Sequence, residues 1–204
     1  MCFVRTALCT TLVTLASSAL ALPSADSLQS AFEQLDHNRD QQIGLVEWDQ
    51  NAFALFRAAD LNRNDSLEAT EIADGPGHSD TFAKFDTNQN ERLELDEFMQ
   101  LRRMLLRVAD INGNDSINRV EFDLFQLISE AGWVDEDKNG RINFAELRVS
   151  MAKVFALADS DQDGSLSAAE ANFLSPVSYA AATDQGPLTS GRLYVYYRRL
   201  LTGE

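Results

Sequence analysis

Residues 159–170 read DSDQDGSLSAAE, and this twelve-residue stretch decides the fold because five variants of it precede it. The variants are DHNRDQQIGLVE at 36–47, DLNRNDSLEATE at 60–71, DTNQNERLELDE at 86–97, DINGNDSINRVE at 110–121 and DEDKNGRINFAE at 135–146. We number the six segments loops one to six in chain order. Every copy has Asp first, Asp or Asn third and fifth, Ile or Leu eighth and Glu twelfth. A merely acidic, solvated repeat would not keep these offsets, so the pattern predicts one structural unit repeated six times.

The six segments resemble the calcium-binding loop of the EF-hand superfamily. Ca²⁺ is a hard cation that takes six to eight oxygen ligands at about 2.3–2.6 Å. In that loop, side chains at positions one, three and five and the backbone carbonyl at position seven bind the ion, and Glu at position twelve binds with both oxygens. The apolar residue at position eight points inward, where paired loops form a short β contact. The implied metal ligands are Asp36, Asn38, Asp40, Gln42, Glu47; Asp60, Asn62, Asn64, Ser66, Glu71; Asp86, Asn88, Asn90, Arg92, Glu97; Asp110, Asn112, Asn114, Ser116, Glu121; Asp135, Asp137, Asn139, Arg141, Glu146; and Asp159, Asp161, Asp163, Ser165, Glu170.

The loops differ in expected affinity, because affinity for Ca²⁺ rises with the number of acidic ligands and with a relaxed loop. The sharp turn at position six favours Gly, which only loops five and six have there. The residues at that position are, in order, Gln41, Asp65, Glu91, Asp115, Gly140 and Gly164. Loop six also has carboxylates at positions one, three, five and twelve, whereas loop four has them only at one and twelve. We expect loop six to bind most tightly and loop five next, with loops three and four among the weakest.

The loops follow one another closely, starting 24, 26, 24, 25 and 24 residues apart. Only 12 residues separate Glu47 from Asp60, which is room for one helix but not for two helices and a linker. We therefore predict an all-α fold, a tandem EF-hand array with helices shared between consecutive loops and short β contacts between paired loops. A helix of about 14 residues is roughly 20 Å long, so the two loops that it joins lie at opposite ends and cannot pair.

Two breaks interrupt the array. Gly75-Pro76-Gly77 stops a helix between loops two and three, with Ser79 as the next N-cap, so these two loops are placed to pair. Gly132 is expected to end or bend the helix between loops four and five. The array at 22–174 is accordingly read as three modules of roughly 50 residues, followed by a C-terminal tail at 175–204.

The two ends of the chain differ from the array. Residues 1–21 have Arg5 as their only charge, a short apolar run and Ala19-Leu20-Ala21, which is typical of a signal peptide cleaved after Ala21. A membrane anchor fits less well, because a span needs about 20 strongly apolar residues. Both cysteines fall within this segment. The tail is basic and aromatic, and we favour its packing within its own domain over docking on an acidic partner.

The charge limits the partners. The chain has 32 acidic and 17 basic residues and a net charge of −15, which argues against nucleic acid, whose phosphates need clustered Lys and Arg. His37 and His78 are isolated and make no zinc site. No nucleophile and base are paired in the sequence, so no enzymatic activity is expected.

The expected function is calcium binding in an exported protein, either as a Ca²⁺ buffer or as a Ca²⁺-stabilised module. A Ca²⁺-dependent sensor or adaptor, or an extracellular protein that binds matrix or mineral, is the alternative. The chain is similar to the reticulocalbin–calumenin group in its acidity, leader and six loops, but it ends Leu-Thr-Gly-Glu instead of with an ER-retrieval tetrapeptide. Dockerin domains are a weaker match, since Asp usually closes their loops. Secretion is expected, with a secretory-pathway lumen or the periplasm as the alternative.

Overall fold

The computed structural model describes residues 22–68, 70–71 and 85–203. The predicted signal peptide, the Gly75-Pro76-Gly77 break and the Ser79 cap lie outside the described residues. Within them the chain forms seven helices and four short strands, which confirms the predicted all-α class. The helices are α1 (Ala25–Leu35), α2 (Leu45–Ala59), α3 (Leu95–Ala109), α4 (Arg119–Ala131), α5 (Phe144–Ala158), α6 (Pro176–Thr183) and α7 (Ser190–Thr202). The strands are β1 (Gln42–Ile43), β2 (Ser66–Glu68), β3 (Arg92–Glu94) and β4 (Ile117–Asn118).

Helices α2, α3 and α5 are the predicted shared helices, each of 15 residues. They join loop one to two, three to four and five to six. Each begins directly after position nine of a loop, so that the Glu at position twelve lies in its first turn; Glu47 accepts the Gly44 N–H there at 3.0 Å. At the other end of α2, the Asp60 N–H donates to the Phe56 carbonyl at 2.9 Å, and the chain then turns into the next loop. One repeated sequence therefore ends one helix and starts the next.

The first four loops form two antiparallel pairs. β2 pairs with β3 with Leu67 opposite Leu93, which confirms the predicted contact between loops two and three. β1 pairs with β4 with Ile43 opposite Ile117, a contact between loops one and four that the sequence did not predict. Because α2 and α3 each join one loop of each pair, the two helices run in opposite directions with a loop pair at either end. Loops one to four thus close into a ring.

Loops five and six are arranged differently. Helix α4 leaves loop four and ends at Ala131, and its C-cap is Gly132, whose φ of 84° confirms the predicted break. Loop five follows after three residues, and none of its residues lies in a strand of the described chain. Loop six forms an isolated antiparallel bridge between Leu166 and Leu188, which lies in the tail. The exit from loop six is a series of turns up to α6.

A single core connects the array with the tail. The position-eight residues of all six loops are at most 2% exposed. Aromatic contacts join the helices, as in the edge-to-face pair of Phe56 and Phe98 with ring centroids 5.6 Å apart. Leu193 and Tyr197 of α7 are buried in the same core, so the tail packs within its own chain, which was the favoured alternative. Among the described residues, no helix is both long and apolar enough to span a membrane.

Candidate metal-binding loops

All six loops share one backbone conformation, whether or not they contain Gly. At position six the φ angle is positive in every loop, from 61° at Asp65 to 83° at Gly164. Position four is also left-handed throughout, for example Arg63 at 60°, a feature that we did not predict from the sequence. A left-handed non-glycine residue costs about 1–2 kcal/mol, so loops one to four bear a strain at position six that loops five and six avoid.

Backbone amides hold the side chains of positions one, three and five in the same way in each loop. The position-one Asp accepts the position-six N–H through Oδ2 at 2.9–3.1 Å in all six loops. The third and fifth side chains accept the N–H two residues further on through Oδ1, at 2.7–3.1 Å. These bonds to the loop's own amides fix the oxygen-bearing side chains around each turn, independently of any cation.

The Glu at position twelve spans each loop. Its Oε2 accepts the N–H of position nine at 2.9–3.1 Å in all six loops. Its Oε1 accepts N–H groups from positions two or three at 2.8–3.4 Å. The carboxylate therefore closes the loop against its own start.

These donors hold the loop-six glutamate in its ionised form. The Ser167 N–H, followed by the hydroxyls of Ser167 and Ser160, lowers the pKa of Glu170 from 4.5 to about 2. The Glu68 N–H likewise contributes most to a lowered pKa of Glu71. In loop four the direction reverses, because burial raises the pKa of Glu121 above its usual value.

Loops five and six bring three carboxylates together. The oxygens of Asp135, Asp137 and Glu146 lie within 4.8 Å of one another, and those of Asp159, Asp161 and Glu170 do so in loop six. No such triplet occurs in the other loops as far as the described residues extend. Three converging carboxylate oxygens are the hard donors that Ca²⁺ prefers, and both clusters are in the loops that the sequence ranked highest.

One carboxylate oxygen in loop six lacks the hydrogen bond that its counterparts make in the other loops. In loops one to five, Oδ1 of the position-one Asp accepts the position-five N–H at 3.0–3.1 Å. In loop six the Asp163 N–H keeps the bond to Oδ1 of position three that all the loops share, here Asp161, but makes none to Oδ1 of Asp159. Oδ1 of Asp159 is buried and has no hydrogen-bond partner among the described residues. A buried carboxylate oxygen without a donor is costly unless a cation satisfies it, so this loop suits Ca²⁺.

Loop four has a protein cation beside it. Asp110 and Glu121 are buried, at 2% and 0% exposure. The Arg141 guanidinium of loop five lies 3.7 Å from Oδ2 of Asp110. The resemblance implies Arg141 as a carbonyl ligand at position seven of loop five, and the sequence does not predict that its side chain approaches another loop. Loop four, which has carboxylates at only two of the candidate ligand positions, is thus partly neutralised by its neighbour.

The predicted ligands all lie in the described residues. Loop one has three carboxylates at ligand positions, but Oδ2 of Asp40 accepts the Asn38 side-chain amide at 3.0 Å. In loops two and three, Glu68 and Glu94 accept the side-chain amides of Asn64 and Asn90 at 3.1 and 3.2 Å. These contacts orient the amide oxygens of position five toward the loop amides.

Comparison with known families agrees with this geometry. The model of the EF hand family matches residues 151–170, which comprise the second half of α5 and all of loop six. No curated protein sequence matches the chain significantly. The family match and the two carboxylate clusters together indicate a calcium-binding protein. The EF hand is a family of calcium-binding modules and not a family of enzymes.

Proposed function

We propose that this protein binds Ca²⁺ through its EF-hand loops, most tightly at loop six and next at loop five. The observation that carries the proposal is the buried Oδ1 of Asp159, which has no donor among the described residues. It belongs to a carboxylate that converges with those of Asp161 and Glu170. Asp163 and the Ser165 carbonyl would complete the ligands of loop six. Loops one to four are proposed as weaker sites, because each has fewer convergent carboxylates or a strained turn.

The residues of loop six prepare it for the ion. The donors from Ser167 and Ser160 that lower the pKa of Glu170 to about 2 favour its ionised form, which is the form that binds a cation. The loop amides hold the other side chains, so little ordering remains when the ion arrives. Bound Ca²⁺ supplies positive charge at the centre of each occupied loop and offsets part of the −15 net charge.

We further propose that the chain acts in an exported compartment as a Ca²⁺ buffer or a Ca²⁺-stabilised module. Extracellular modules work with dissociation constants of about 10⁻⁴–10⁻³ M, which strained loops could reach. The single core supports a stabilising role, because loop closure and core packing involve the same segments. The resemblance of the six loops to those of the reticulocalbin–calumenin group supports this proposal. N-terminal sequencing of exported protein would test cleavage after Ala21.

A sensor or adaptor is the second candidate, and exposed apolar side chains on α2 favour keeping it. Val46 and Phe53 are 69% and 45% exposed and lie two turns apart on that helix. A sensor should gain hydrophobic-dye fluorescence when Ca²⁺ is added, whereas a buffer should show little gain. The same measurement therefore separates the two roles.

Calorimetric titration with Ca²⁺ in the presence of Mg²⁺ tests the binding proposal. We expect at least two saturable steps, and Glu170→Gln should remove the tightest one because it removes a charged ligand of loop six. Glu33→Gln, the same change at an exposed residue of α1, should leave every step in place. A tightest step that survives in Glu170→Gln would show that the ranking of the loops is wrong.

A further inference from the structure

Loop six takes its β partner from the tail. In loops one to four, the position-eight residue pairs with the same residue of another loop, as Ile43 does with Ile117. In loop six the Leu166 N–H donates to the Leu188 carbonyl at 2.9 Å, and the Leu166 carbonyl accepts the Tyr179 hydroxyl at 2.9 Å. Both backbone groups of the position-eight residue are thus bonded to residues of the tail.

Each of these bonds fixes a peptide group that serves the metal site. The Leu166 N–H shares one planar peptide with the Ser165 carbonyl, the position-seven ligand, so the bond to Leu188 sets the direction of that carbonyl. The Leu166 carbonyl shares the next peptide with the Ser167 N–H, which holds Oε2 of Glu170 at 2.9 Å. The Tyr179 hydroxyl therefore orients the amide that positions the closing carboxylate. Polarisation along such a chain of hydrogen bonds strengthens each bond in it.

The tail is anchored well enough to act in this way. Leu188 is fully buried, and Leu193 and Tyr197 of α7 are buried in the core against which α5 packs. Since α5 leads into loop six, loop and tail are held by the same helix. Helix α6, which bears Tyr179, starts at a Ser175 cap whose side chain accepts the Ser178 N–H at 3.1 Å.

We infer that the tail, residues 175–204, is the pairing partner of loop six, and that Tyr179 and Leu188 are positioning residues for its calcium site. The inference rests on the proposed calcium function of that loop. Because coupling between two equilibria is reciprocal, a tail that improves Ca²⁺ binding at loop six is itself more firmly docked when Ca²⁺ is bound. Loop six and the tail form one calcium-responsive unit.

The variant Tyr179→Phe tests the inference, because it removes the hydroxyl and keeps the ring. In calorimetric titration of the full chain, the step that Glu170→Gln abolishes should weaken on the order of 3- to 10-fold, the effect expected for one lost hydrogen bond. Tyr194→Phe is the matched control, since its hydroxyl also donates to a backbone carbonyl, that of Phe144, at 3.2 Å. That control should leave the loop-six step unchanged.

A second readout follows the tail. Amide hydrogen exchange in 176–202 should slow when Ca²⁺ is added to the unmodified chain and to Glu146→Gln, which lacks a loop-five ligand. It should not slow in Glu170→Gln. Equal slowing in all three proteins, or a Tyr179→Phe titration no weaker than that of Tyr194→Phe, would overturn the inference and leave calcium binding intact. An unmodified chain that takes up no calcium would overturn both.

Discussion

Gln41→Gly should stabilise the protein, although it deletes a side chain. Gln41 is at position six of loop one with a φ of 68°, a conformation that Gly adopts without the steric cost of a Cβ. Its side chain is exposed, and its backbone N–H donates to Oδ2 of Asp36 at 3.0 Å, a bond that the substitution keeps. The change therefore removes strain and little packing.

The size of the effect follows from two opposing terms. Relief of the left-handed conformation contributes about 1–2 kcal/mol. The greater freedom of Gly in the unfolded chain costs about 0.5–1 kcal/mol. The net gain in the free energy of unfolding is about 0.5–1 kcal/mol, or an increase of roughly 1–4 °C in the unfolding midpoint for a chain of this size.

The adjacent residue provides the control. Gln42 lies in β1 opposite Asn118, without a positive φ, and accepts the Ser116 hydroxyl at 2.6 Å. Gln42→Gly should destabilise the protein by about 1–2 kcal/mol, since it loses that bond and places Gly in a strand. Thermal and urea unfolding of both variants would measure the difference. If Gln41→Gly destabilised the chain as much as Gln42→Gly, the left-handed turn at Gln41 would not be a source of strain in loop one.

Three further predictions concern charge, pH and metal. Arg141→Gln should tighten Ca²⁺ binding at loop four by up to about 5-fold, because it frees Asp110 from a half-exposed ion pair that is worth at most about 1 kcal/mol. Calorimetric titration would measure the change in affinity. Adding Glu121→Gln should abolish the gain. Burial raises the pKa of Tyr197 above 10, so its contribution to stability is constant below pH 10 and is lost as the pH rises further. Tyr197→Phe should therefore reduce the fall in the urea midpoint between neutral and strongly alkaline pH, and an unchanged fall would contradict the assignment. When free calcium is held at about 100 times its dissociation constant, its removal by a chelator should lower the free energy of unfolding by about 2.7 kcal/mol per site and the unfolding midpoint by about 5–10 °C. A midpoint that does not change with chelator in scanning calorimetry would contradict this.

The features that the sequence predicted are encoded in the repeats and in the breaks between them. The short distance from Glu47 to Asp60 excluded two helices, and α2 is indeed a single helix. The contact between loops two and three followed from the break between them, and Gly132 ends α4 as expected. Each of these inferences needed only residues close together in the chain, where spacing and backbone preference decide the structure.

The features that the sequence did not predict depend on distant residues. Ile43 and Ile117 pair only because α2 and α3 pack side by side, which the spacing of the loops does not reveal. Tyr179 lies outside the repeat, so no motif marked its contact with loop six. The repeat implies a role only for the carbonyl of Arg141, whereas its side chain reaches loop four. In each case the partner is set by tertiary packing.

Equilibrium dialysis of the purified chain against millimolar radioactive calcium, with excess Mg²⁺, tests the central claim most directly. The account predicts at least two bound calcium ions per chain, and loss of the two tightest when Glu146→Gln and Glu170→Gln are combined. A folded chain that retains no calcium under these conditions would contradict it.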